Sequence, residues 1–180
     1  KFNNFFNYEL GCGEIRHCYT VHLQNLLSAW RKYLQNSNRL VESDFQLEHL
    51  EISNDFVQWT NKKGEKLIAE KIIFCDGIAS FKNPYFKKLP FALNKGEALI
   101  VEIKDLSGQY IYKKGFVLAP LADENVFWFG SNYQWDFPHP NPTAEFFNQA
   151  KNHLTNFLKL PFTIVDHKAA LRPATLERRP

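Results

Sequence analysis

Two stretches of this sequence repeat their apolar residues at helical spacing, 21–36 and 143–158, and nearly everything between them is short β-branched and aromatic runs. That order restricts the chain to a mixed α+β layout, with mostly antiparallel strands and two long helices. In the first stretch Leu23, Leu26, Leu27, Trp30, Tyr33 and Leu34 form one apolar stripe, and Thr20 stands where a helix cap belongs. In the second, Phe146, Phe147, Ala150, Leu154, Phe157 and Leu158 form the stripe, Asn141 is the expected cap, and Pro142 suits the first helical position.

The strand readings follow from composition and turn residues. Strands are expected at 10–19 and 39–43, and 45–52 alternates only in part. FVQWT (56–60) and EKLIAE (65–70) flank Asn61-Lys62-Lys63-Gly64, a hairpin in which Gly64 supplies a positive φ. Ile72, Ile73, Phe74 and Cys75 form a continuous apolar run, as a strand covered on both faces requires, and it runs into Gly77. Beyond a proline-containing, basic connection (81–91), strands are expected at 97–104, 110–121, 125–133 and 162–171. The change of texture after Gly77 marks a seam near 77–82.

Composition narrows the class. With 17 Phe among its aromatics the chain can build a real core. A formal charge of +3 with both signs interspersed reads as a solvated surface, not a nucleic-acid footprint. Three cysteines, Cys12, Cys18 and Cys75, point to a reducing, cytoplasmic setting without a disulfide scaffold. No run approaches the roughly 20 apolar residues a membrane span needs. The sequence contains no Met and starts at Lys1 in ordinary folded text, so it reads as a piece of a longer protein.

Four places invite chemistry. Cys12, His17, Cys18 and His22 lie close together, but on a strand the two cysteines share a face that His17 does not, which disfavours a metal site. Gly77 ends an apolar strand, either as a simple turn or as a point where backbone approaches a ligand. Phe127 and Phe129 fall on the core face of their strand, whereas Tyr133, past its end, is free to line a pocket. Arg172 follows the apolar run of the last strand and is stiffened by Pro173. A guanidinium there must either pair with an acid such as Asp166 or Glu177, or face a cavity where its planar fork can take a carboxylate.

Taken together, IIFCDG, NPYFKKLPFALNKGEALIVEI, GFVLAPLADENVFWFGSNYQW and HKAALRPATLERRP resemble the FAD-dependent oxidoreductases of the D-amino-acid oxidase and glycine oxidase superfamily. The Arg-Pro signature near the end carries most of the resemblance. It implies that residues 1–19 contribute a strand of a substrate domain, 20–80 part of an FAD-binding domain, 81–171 the substrate-binding domain, and 172–180 the crossing back. It also implies that Arg172 anchors a substrate carboxylate with Tyr133 nearby, that Gly77 lets backbone approach the flavin, and that Phe45 meets the adenine.

The implied reaction is hydride transfer from a small amine or amino-acid-like substrate to FAD, followed by hydrolysis of the imine. No catalytic acid or base is required, and His167 reads as structural. The departures from the family pattern are Asp76, Ala170, Glu177 and Arg178-Arg179, and neither a Gly-x-Gly-x-x-Gly motif nor the glycine-rich return to the flavin is present. The chain alone is therefore expected to lack FAD and activity, its partners being a small-molecule substrate and the remainder of the FAD domain. The competing reading is an α/β binding module without redox chemistry, and a single-strand nucleic-acid binder using Tyr110, Tyr112 and Trp128 is a third.

Overall fold

The computed structural model describes residues 2–177. The chain forms two compact units, Leu23–Asp76 on the one hand and Lys1–His22 with Gly77–Pro180 on the other. The fold is mixed α+β, with a three-stranded and a five-stranded antiparallel sheet and two α-helices.

The smaller unit contains α1 (Leu23–Asn36), β1 (Leu50–Ile52), β2 (Val57–Thr60) and β3 (Lys66–Ala69). β2 and β3 are the hairpin read at Asn61–Gly64, and Gly64 has φ +81°. The side chain of Asn61 builds the turn by accepting from the amides of Lys63 and Glu65. Its core is small: Leu50, Val57 and Trp59, with Leu47, Ile72 and Phe74 packed against them.

Three expectations fail in this unit. Helix α1 begins three residues beyond Thr20, so Thr20 is not its cap, and no residue of α1 is buried. Residues 39–43 carry no strand pairing. The apolar run 71–76 is not a strand either: Ile73 is 85% exposed and Cys75 is exposed, because none of the described strands pairs with it. Only Ile72 and Phe74 find apolar cover.

The larger unit is a sheet ordered β5-β6-β7-β4-β8, with β4 at Phe91–Glu102, β5 at Tyr112–Lys114, β6 at Phe116–Pro120, β7 at Val126–Gly130 and β8 at Thr163–Thr175. The single strand expected at 110–121 is broken into β5 and β6 by Gly115 at φ +71°. The strand expected at 10–19 is absent. That segment is exposed throughout, contains two glycines and holds His17 at φ +60°.

Helix α2 (Ala144–Phe157) lies on one face of this sheet. Its cap is Thr143, not Asn141: the Thr143 hydroxyl accepts from the Phe146 amide, so Pro142 falls before the helix. Phe146, Ala150, Leu154 and Phe157 meet Leu99, Val101, Leu118, Phe127 and Phe129 in one core. Each large side chain there contributes about 1.5–3 kcal/mol of apolar burial. The N-terminal residues close the end of this core, where Phe6 bridges to Leu158 and stacks on Phe157 at 4.6 Å.

Candidate functional site

Alternation along β4 sorts its side chains onto two faces. Lys95, Glu97, Leu99 and Val101 face α2; Asn94, Gly96 and Ala98 face the other way. In β8, Arg172 stands directly opposite Asn94 in the antiparallel register, so both belong to the face that α2 does not cover.

The Arg172 guanidinium occupies the space above Gly96. A Cβ on Gly96 would fall 2.0 Å from Nη2, so only glycine admits the side chain there. Nη1 donates to Asn94 Oδ1 at 2.6 Å and, at 3.4 Å, to the Asn132 carbonyl, while Nη2 donates to Ser131 Oγ at 2.8 Å. The Tyr133 ring lies 4.6 Å from the guanidinium carbon, a cation–π contact, and Tyr133 itself is 68% exposed. All these partners are neutral. Asp166, one acid the sequence offered, is instead engaged by Lys168 and by the His167 amide. Lys168 and that amide hold the Asp166 carboxyl below the usual carboxylate range. An arginine with five N–H donors and only three such bonds keeps both charge and donors for an anion.

The opposite face of the same strands holds a buried polar cluster that sequence reading missed. Glu97, fully buried, accepts from the Thr143 amide at 2.6 Å and the Thr143 hydroxyl at 2.8 Å, with Lys95 Nζ at 3.0 Å and His167 Nε2 at 3.1 Å. Burial pushes the Glu97 carboxyl up. The Thr143 amide, Lys95 and the Thr143 hydroxyl outweigh it and hold the group below its ordinary range. This cluster ties β4 and β8 to the start of α2, and His167 belongs to it, facing away from Arg172.

Gly77 has φ +58° and open space where a Cβ would sit, and the short helix it begins (Gly77–Lys82) lies against β8, the strand that carries Arg172. Phe45 lies in the smaller unit, stacked on Trp59 at 5.3 Å, and lines an apolar hollow of about 250 Å³ with Val41, Leu67 and Ile72. A second, polar hollow of about 540 Å³ lies beside Asn7 and Lys114. Arg172 lines neither hollow; it rests on the sheet itself. Tyr112 is buried against Phe2 and Phe6, which removes it from any base-stacking surface. Among the described residues no group of three or more His, Cys, Asp or Glu is placed to hold a metal ion, and no helix is long and apolar enough to cross a membrane. Arg178, Arg179 and Pro180 lie outside the described residues.

The fold defined by these elements is similar to part of the fold of solved glycine oxidase and iminodiacetate oxidase structures. Glycine oxidase from Geobacillus kaustophilus superposes with a TM-score of 0.60 at 15% identity, over 75% of this chain and 38% of that one. Glycine oxidase from Bacillus cereus gives 0.59 at 16% identity, over 75% and 39%. Iminodiacetate oxidase from Chelativorans sp. BNC1 gives 0.61 at 14% identity, over 84% and 43%. The chain thus spans about two fifths of the length of these enzymes. No protein-family model matches the sequence.

Proposed function

We propose that this chain carries the carboxylate-anchoring face of a flavin-dependent oxidoreductase that oxidises a small amine or amino-acid-like substrate. The observation that carries the reading is the Arg172 guanidinium, half-buried on a sheet face and held, among the described residues, only by neutral groups. In this reading Arg172 takes the substrate carboxylate through its uncommitted N–H donors, and the exposed Tyr133 ring shields that pair from water. Fixing the carboxylate fixes the neighbouring carbon, whose C–H bond is the one to be broken.

Each unit, taken by itself, holds one feature that would suit a contact with FAD. Gly77 offers open, left-handed backbone beside β8, and the apolar hollow around Phe45 suits a flat aromatic group. The phosphate-cradling Gly-x-Gly-x-x-Gly turn is not in this sequence. Bound in a complete site, FAD would supply the acceptor for the hydride leaving the substrate carbon.

The test is a titration of the isotopically labelled chain with sodium acetate, followed by NMR at the Arg172 side chain. Acetate should shift the Arg172 Nε–H signal saturably, methyl acetate should not, and Arg172→Leu should abolish the response. Equal shifts with the ester, or an unchanged response in Arg172→Leu, would remove the carboxylate reading.

A further inference from the structure

Asn94 sits in the first half of β4, 1% exposed, in direct register with Arg172. Its side chain is oriented by chemistry: a guanidinium only donates, so the amide oxygen must face Arg172 and the NH2 group must turn away. Turned away, Nδ2 is buried and has no hydrogen-bond partner among the described residues. A buried donor without an acceptor destabilises a fold. Two near-isosteric residues are the alternatives: leucine has no polar atom to strand, and aspartate would answer the guanidinium with a full counter-charge. The sequence uses neither.

We propose that Asn94 is the positioning residue of the Arg172 site, clamping the guanidinium through a neutral acceptor so that its charge remains available to a bound carboxylate. The inference rests on the carboxylate reading above for its ligand, but not for the clamp itself. Ser131 Oγ and the Asn132 carbonyl continue the same pattern along the chain leaving β7, and neither carries charge. Gly96 and Tyr133 both lie against the guanidinium, and Asn94 fixes which way its Nη1 edge points.

Asn94→Leu and Asn94→Asp separate the alternatives. In the native chain the Arg172 Nε–H signal should show the relaxation of a rigid side chain. Asn94→Leu should make it mobile and weaken acetate binding about tenfold or more, without lowering the melting temperature. Asn94→Asp should leave Arg172 rigid and yet weaken acetate at least as much, because the charge is cancelled within the protein. If Asn94→Leu destabilises the fold but leaves Arg172 rigid and acetate affinity unchanged, Asn94 is a packing residue and the proposal is overturned. Tight acetate binding by Asn94→Asp would overturn it equally. Should the native chain show a rigid Arg172 that loosens in Asn94→Leu but no response to acetate, the carboxylate reading falls and the clamp stands.

Discussion

Gly96 and Gly130 lie on the same face of neighbouring strands, and each excludes a side chain for a different reason. A methyl at Gly96 meets the flexible end of Arg172 at 2.0 Å, whereas one at Gly130 meets the Ala98 Cβ at 2.6 Å and strand backbone at 3.0 Å. Arginine can swing aside; backbone cannot. Gly96→Ala should therefore cost little stability but abolish the acetate response at Arg172. Gly130→Ala should lower unfolding free energy by about 1–3 kcal/mol through overpacking. Urea denaturation alongside the NMR titration distinguishes the two. A second single-residue test concerns Tyr112, which burial pushes up to about 12 and whose hydroxyl donates to the Ser107 carbonyl. Its raised folded-state value means stability is intact below the unfolded value near 10 and falls as pH rises toward 12. A spectrophotometric titration should show a late phenolate that Tyr112→Phe removes.

At the level of elements, the buried Glu97 pins strand β4 to the start of helix α2, beside the apolar core the two share. Thr143 both caps the helix and donates to Glu97. Thr143→Val should cost about 1–2 kcal/mol by removing a cap and a buried hydrogen bond together. Because the Glu97 carboxyl is held below its unfolded value, its contribution is present above that value and is lost as pH falls through the folded one. Glu97→Gln should thus be less stable than the native chain near neutrality, with the difference shrinking on acidification; melting temperatures across pH measure this. Helix α2, the 61–64 hairpin and the inward Phe127–Phe129 pair were all legible, because each depends on local periodicity or turn chemistry. The strand expected at 71–77 was not, since an apolar run becomes a strand only where neighbours pair with it. The clamp around Arg172 was legible by half. Arg172 and Tyr133 carried a signal, but Asn94, Gly96 and Ser131 become meaningful only once the register of β4, β7 and β8 is known.

Considered whole, the molecule joins units of unequal robustness. The core of 23–76 rests on three buried side chains, and the apolar stripe of α1 is uncovered, with Trp30 56% exposed. The five-stranded sheet buries far more. Amide exchange should therefore be fast across 23–76 and slow in β4, β7 and β8, and limited proteolysis should cut first within 23–76. Uniform protection along the chain would contradict this. That cut has a particular outcome, because the segment leaves the larger unit after His22 and rejoins it at Gly77. The short N-terminal piece is not anchored by its peptide bonds alone: Asn7 donates to the Phe157 carbonyl, Lys159 donates to the Phe5 carbonyl, and Phe6 is inserted in the core. A chain severed in the excursion should still migrate as one particle under native conditions and separate into fragments only in denaturant, as a heterodimer made from a single gene product would.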